Sequence, residues 1–461
     1  MKHKWYRLIS RQACAVVAVL LLASTALTAQ TETALYDFQG GSDGSGPSAG
    51  LIADAAGNFY GTTTYGGGSP MCMFITTVIG CGTVFELSPT SSGGLTETVL
   101  YTFQGIDDAA EPLAGLVMDG QGNLYGSSSR GGLNLCGGSG GANFGCGTVF
   151  QLTPPSSAGG AWTETVLYRF QAGNDGVGPM GSLIFDRAGN LYGTTAGGGR
   201  STNCPFNGGC GTIFKLTPPS LPGGAWTETL LYNFNGGADG ALPFAGLVLD
   251  KKGYLYGTTY LGGLGPSGGT VFRAIPPAIS GGAWTVKVLH AFERGSDGGT
   301  PVAGVILDQA GNVYGTTMYG GGGRCLTGGQ GGCGTVFELT PPASLGGVWT
   351  ETQIATFPAG RDGRAPESGL IFDAAGNLYG TTALGGNGQW GSVFQLTPRA
   401  GKSGNWTRNV LYYFQGGSDG NDPQASLLLL NGALYGTTNG GNSTCAVQSG
   451  ASCGTVFKII P

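Results

Sequence analysis

A Tyr-Gly pair recurs seven times along the chain, as Tyr60-Gly61, Tyr125-Gly126, Tyr192-Gly193, Tyr256-Gly257, Tyr314-Gly315, Tyr379-Gly380 and Tyr435-Gly436. Successive tyrosines lie 65, 67, 64, 58, 65 and 56 residues apart. A period of that length holds several short strands per copy, and such copies must associate into an array of small sheets. Glycine supplies 93 of 461 residues and charged side chains only 10%, against about 25% charged in ordinary domains. Alone, that composition suits a low-complexity chain. An apolar content of 40% on a strict period points instead to many strands joined by Gly-rich turns.

The second copy shows the unit. Residues 114–119 form a short apolar run, as expected of a strand buried on both faces. A turn at 119–123, with glycine available for a left-handed residue, returns the chain as a second strand over 123–128. A third strand spans 147–152 and is stopped by Pro154-Pro155. The fourth, 162–170, is rich in β-branched and aromatic residues. In the third strand Phe150 and Leu152 point one way, and Gln151 belongs to a column that is long and polar in every copy (Glu86, Gln151, Lys215, Arg273, Glu338, Gln395, Lys458). A buried inner strand with progressively wetter outer ones describes a propeller blade.

The ends fix the count. Residues 33–38 match a fourth strand, and 454–459 are a third strand with no fourth after it. The N-terminal segment can fill that vacancy. The reading is an all-β, seven-bladed β-propeller of four-stranded antiparallel blades over 32–461, closed by the N-terminal strand. A right-handed β-solenoid, the rival, would need no such offset between the ends.

Before the first strand lies a basic start, an apolar stretch from Ala13 to Ala23 and small residues, the form of a signal peptide over 1–29 cleaved after Ala26 or Ala29. The stretch is too short to span a bilayer, and no second one of spanning length occurs. The net charge of −5 becomes −9 once Lys2, Lys4, Arg7 and Arg11 leave with the signal. An acidic, Gly-rich surface is a poor partner for nucleic acid or anionic lipid. The expectation is a secreted monomer, periplasmic or extracellular, without a membrane span.

Asp and Pro stand four apart in all seven linkers, from Asp43 and Pro47 to Asp419 and Pro423. Such a ring of carboxylates could hold calcium. An Asx-turn in each linker explains repetition in every copy better, so no metal or other cofactor is expected. Beyond Cys14 in the signal, ten cysteines fall in five pairs: Cys72 and Cys81, Cys136 and Cys146, Cys204 and Cys210, Cys325 and Cys333, Cys445 and Cys453. The fourth and sixth copies lack both members together, which argues for local disulfides in an exported chain. A metal reading would need histidine or four thiolates per site.

Catalytic equipment is sparse. His290 is the one histidine outside the signal, and it replaces a fourth-strand tyrosine, so no Ser-His-Asp or Cys-His relay is expected. In a near-symmetric ring, function resides where copies differ. Second-to-third strand loops and interblade linkers should share one face, where Glu111, Arg364 and Glu367 depart from the linker pattern, as do Asp107, Glu293, Arg294 and Arg361. On the loops stand Tyr65, Arg130, Arg200, Tyr319, Arg324 and Trp390. Exposed aromatics with arginine and carboxylate suit a binding or scaffolding module for an extracellular glycan or protein. The alternative is a glycoside hydrolase or lyase using linker carboxylates such as Glu111 and Glu367, with no catalytic residue assigned.

The segments Gly369 to Thr382 (Gly-Leu-x-x-Asp-x-x-Gly-Asn-Leu-Tyr-Gly-Thr-Thr) and Gly334 to Pro341 (Gly-Thr-Val-Phe-x-Leu-Thr-Pro) carry a resemblance. Over 32–461 the chain resembles the GloVer tandem-repeat proteins, also called choice-of-anchor repeat proteins. The resemblance implies propeller-like repeats and export. Such proteins often end in a surface-sorting tail, which this chain, ending at Pro461, does not show. It implies no activity and hence no catalytic residues.

Overall fold

A computed structural model describes residues 32–461 apart from 75–76, 92–93, 134–135, 137–144, 158, 202, 205–207, 222, 266, 280, 323–324, 326–331, 345, 359–362, 387, 399–405 and 442–452. The segment 1–29 expected to be a signal peptide, and Arg324, Arg361, Asp362 and Cys445, lie outside the described residues. Seven four-stranded antiparallel sheets form a ring, a seven-bladed β-propeller. Blade 2 is representative, with Val117–Met118, Leu124–Ser128, Thr148–Thr153 and Thr163–Arg169 from axis to rim. Blade 7 takes Leu428–Leu430, Ala433–Thr438 and Thr455–Ile459, then Glu32–Asp37 as its outer strand. That strand runs antiparallel from Glu32 opposite Ile459 to Asp37 opposite Thr455.

One expectation changes. The innermost strands of blades 1–6 are only two residues long and half-buried, whereas the second strand of blades 1–6 is buried along all five residues. The inner strand has a free edge toward the axis, while the second has a strand on each side and a blade against each face.

The recurrent Tyr-Gly pair serves two separate contacts. A Cβ on its glycine would stand 2.4–2.7 Å from Cζ of the third-strand phenylalanine in the same blade, as Gly126 does with Phe150. Only glycine leaves that ring its place. Each such phenylalanine meets the one ending the fourth strand of the preceding blade, from Phe38 on Phe85 to Phe414 on Phe457, with centroids 4.9–5.2 Å apart. These pairs sit in seven apolar clusters, one at each blade interface. A buried aromatic pair adds about 0.5–1.5 kcal/mol beyond its area.

The tyrosine of the pair turns to the hairpin between first and second strands. Its hydroxyl donates to Asp54, Asp119, Asp186, Asp250, Asp308 or Asp373 at 3.0–3.3 Å in blades 1–6. The same carboxylates accept backbone N–H groups two or four residues on, and in five blades the asparagine amide four residues on. Burial alone would raise Asp54, Asp119, Asp186 and Asp373, but these hydrogen bonds outweigh it and hold each below the usual carboxylate range.

Linkers and second-to-third strand loops share the other face, joined by short antiparallel bridges such as Ser45 with Tyr65, Val177 with Gly197 and Arg364 with Leu384. Each described linker Asp accepts the backbone N–H four residues earlier and the preceding fourth-strand Tyr hydroxyl, or His290 at Asp297. The residue after that Asp is glycine because a Cβ would lie 2.1–2.5 Å from a second-strand Thr hydroxyl, as Gly176 does with Thr195. At the 1/2 linker Ala109 takes the position on a backbone without the positive φ of those glycines, in a short strand, Ala109–Ala110, paired with Arg130–Gly131.

Disulfides Cys72–Cys81, Cys136–Cys146, Cys204–Cys210 and Cys325–Cys333 each close a loop within one blade. Cys453 is also disulfide-bonded. Peptide mapping of the protein kept free of reductant should return five intrablade links, each contributing about 2–3 kcal/mol. Free thiols or links between blades would contradict this.

Candidate functional site

The residue before the linker proline adopts a left-handed backbone in every blade: Gly46, Glu111, Gly178, Leu242, Thr300, Ala365 and Asp422, with φ of 53–64°. Its N–H donates to the preceding blade and its carbonyl accepts from the end of the next second strand, as Glu111 does with Cys81 and Ser129. Side chains in this column, in the column after the proline and at the second-strand exit therefore ring the axis on the loop face.

Around that mouth the sequence departs from sevenfold repetition, and a polar arc crosses five blades. Gln424 Nε2 donates to Asp422 at 3.1 Å, Asn439 Nδ2 donates to Asp422 at 3.3 Å, and Ser48 Oγ reaches both Asn439 Oδ1 and Thr64 at 3.1 Å. Glu367 lies beside Asp422, and burial, then that neighbouring charge, pushes it up to about 7. Asp422 is itself raised by burial, against the pull of the Asn439 and Gln424 bonds. Tyr319 stands near Glu367, with the Arg294 guanidinium over its ring at 5.4 Å. At the far end Glu111 is paired to Arg130 at 3.1 Å, and Tyr65 stands close to both. Over blade 4 the lining is apolar, built from Leu242, Leu261, Phe244 and Tyr260, the last two with rings 5.0 Å apart.

The structure thus brings together Tyr65, Glu111 and Arg130 in one group and Tyr319 and Glu367 in another. Arg364 joins neither by a contact; its backbone is bridged to Leu384 and its Nε is buried without a partner. Arg200 is exposed further out, its N–H donating to Asn233. Trp390 is 42% exposed and stands where other blades have the second disulfide cysteine. Its carbonyl accepts from Asp422 N as Cys81 does from Glu111 N, and its indole lies over linker Gly416. In blade 6, which lacks a disulfide, the indole fills the place the sulfur bridge takes elsewhere.

Asp422 was not singled out from the sequence. The signal was available, because it occupies the same pre-proline column as Glu111. Among the described residues no three His, Cys, Asp or Glu side chains converge to hold a metal ion, and no helix is long and apolar enough to cross a membrane.

The profile of the Gloeobacter/Verrucomicrobia repeat matches residues 78–327 and 323–461. The chain belongs to that repeat family. The Tyr-Gly pairs and Thr-Val-Phe strands of this Gloeobacter/Verrucomicrobia repeat protein therefore mark a propeller repeat. No curated protein matches it. Among solved structures it is similar to a 6-phosphogluconolactonase, itself assigned only provisionally, from Bacteroides uniformis, with 16% identity, 77% of this chain and 84% of the other covered, and a TM-score of 0.44. A protein of unknown function from Dyadobacter fermentans gives 11%, 94%, 100% and 0.44. A Trichoderma reesei carbohydrate-active enzyme of family AA12, solved with calcium, gives 12%, 94%, 95% and 0.44. At these values the likenesses say nothing of what the repeat protein binds.

Proposed function

We propose that this repeat protein is an exported binding module, its single ring over 32–461 released by removal of residues 1–29, and that a glycan seats in the loop-face mouth. The observation that carries the reading is the polar arc from Tyr319 through Asp422 to Arg130, facing an apolar arc at Phe244 and Tyr260. A sugar presents hydroxyl edges and an apolar ring face, which such a mouth accepts together. On the hairpin face, by contrast, the repeated carboxylates are engaged in their own turns. The basic start, the apolar 13–23 stretch and the disulfides support export. A loop of another extracellular protein is the other ligand this mouth suits; nucleic acid is not, and the module acts as a monomer.

Probing an array of glycans and cell-wall fragments with the exported protein tests this. Asp422→Asn or Tyr319→Ala should weaken a specific hit about tenfold or more. No hit, or one indifferent to both substitutions, sinks the reading.

A carbohydrate-active enzyme is the second reading, favoured by one observation. Glu367, pushed up to about 7, would be a proton donor near neutrality beside the Asp422 carboxylate. Glu111 suits acid chemistry less, being ion-paired with Arg130. Product release from an array hit, abolished by Glu367→Gln and declining as pH rises above 7, would replace binding with catalysis.

A further inference from the structure

The outer strands carry acids that the mouth does not use. In Thr-Glu-Thr of the fourth strand, and at the matching Glu32, five half-buried glutamates each face the linker Asp at an interface with the neighbouring blade: Glu97 with Asp43, Glu164 with Asp108, Glu228 with Asp175, Glu351 with Asp297 and Glu32 with Asp419. Oε1 of all five glutamates is shut from solvent and has no hydrogen-bond partner, as is Oδ1 of Asp43 and Asp175. The other oxygen of these aspartates is taken: Asp43 Oδ2 accepts from Tyr36 at 3.2 Å and Gln39 N at 2.8 Å, and Asp175 Oδ2 from Tyr168 and Gln171 N at 3.0 Å.

At Asp43 and Asp175 a bare aspartate oxygen adds to that of the glutamate, whereas Asp108 Oδ1 and Asp419 Oδ1 already accept backbone N–H groups. In all five, a buried bare Oε1 is costly and two like charges repel. One proton resolves both problems, turning one carboxyl into a donor for the other. We propose that these five blade interfaces are each closed by a carboxylic acid–carboxylate pair holding one proton between them, so that the ring is a clamp that tightens as the surroundings become acidic.

The groups facing each pair fit that assignment. Tyr36 faces Asp43 and Glu97, Tyr168 faces Asp175 and Glu228, and Tyr412 faces Asp419 and Glu32, with Asp37 also beside Glu32. Tyr101 faces Asp108 and Glu164, with Arg169 near the glutamate and Asp107 near the aspartate. His290 faces Asp297 and Glu351. Burial, followed by the linker Asp, pushes Glu32, Glu97, Glu164 and Glu228 up to about 7. Glu351 is raised by burial against the pull of His290. The two other interfaces lack a pair, because Val286 and Arg408 take the glutamate's place.

Because the folded values lie above the unfolded one near 4.5, this stabilisation is complete below about pH 4.5 and lost as pH rises through about 7. Thermal unfolding of the exported protein, in chelator, should show a midpoint roughly 5 °C lower at pH 8.5 than at pH 5.5. Calorimetry at pH 6 in buffers of different ionisation enthalpy should show about four protons released on unfolding. Glu97→Gln and Glu228→Gln should each remove about one of those protons, and the variant with all five glutamates changed to Gln should flatten the pH dependence. Should the fivefold variant not fold, the single variants decide by proton count. A midpoint indifferent to pH, or no proton release, overturns the proposal. So does a midpoint at pH 8.5 restored by calcium in the parent but not in Glu228→Gln, which would make the pairs metal sites.

Discussion

Deletion of residues 32–38 should abolish the folded monomer. That segment contributes the whole outer strand of blade 7, pairing from Glu32 with Ile459 to Asp37 with Thr455, and Phe38 N donates to Gly454 at 3.1 Å. Phe38 is fully buried against Phe85 of blade 1, so the deletion opens the 7/1 interface as well as the sheet. Loss of a buried phenylalanine alone costs about 3–5 kcal/mol, a large part of a domain's typical 5–15 kcal/mol. The exposed third strand of blade 7 would then offer an unpaired edge to other chains. Size-exclusion chromatography should show aggregates, and partial recovery of monomer on adding a peptide spanning 32–38 would tie the loss to that strand. A deletion variant that stays monomeric with an unchanged melting temperature would refute the closure.

The second large effect concerns the glycine of the repeated pair. Gly126→Ala should destabilise by about 1–3 kcal/mol, because the new methyl would stand 2.4 Å from Phe150 Cζ and 3.0 Å from Leu116 Cδ2. Phe150 is itself fully buried between Gly126 and Phe103, so it cannot swing away. Gly120→Ala serves as a control, since a Cβ there meets nothing within 4 Å, and should lie within about 0.5 kcal/mol of the parent. Combining Gly126→Ala with Phe150→Leu should cost less than the sum of the two, by at least about 0.5 kcal/mol in a denaturant double-mutant cycle. Additive losses would mean that the glycine answers to the backbone instead of to the ring.

The architecture was legible because the period exposes it. Seven copies, an orphaned fourth strand at the start and a missing one at the end lead to a closed ring without any knowledge of contacts. The cysteine pairs were legible for a related reason, since paired presence and paired absence are visible in a repeat. The inner strand misled: residues 114–119 read as a strand buried on both faces, but only Val117 and Met118 pair, and they are half-buried because the free edge faces the axis. The Tyr–Asp contacts of the hairpins were hidden because their six-residue spacing crosses a turn, where strand periodicity does not say which side chains meet. The acid pairs were less visible still. Glu97 and Glu164 alternate with exposed threonines on an outer strand, which reads as a solvated edge, and their partners lie more than fifty residues away in sequence. In the mouth, Glu111, Glu367 and Tyr319 stood out as departures from repetition, whereas Asp422 was masked by the more conspicuous Asp419 three residues before it.

Closure by the two ends also sets a clock. Asp37 and Thr455 are strand partners separated by more than 400 residues. At usual rates of synthesis, about 5–20 residues per second, the first strand made must wait roughly 20–80 s for the strand it pairs with. Through that interval six blades can complete themselves from local hairpins, while the seventh remains open at both of its margins. Folding of this ring therefore ends on one late step, and the strand left unpaired longest lies at the beginning of the chain, not at its middle.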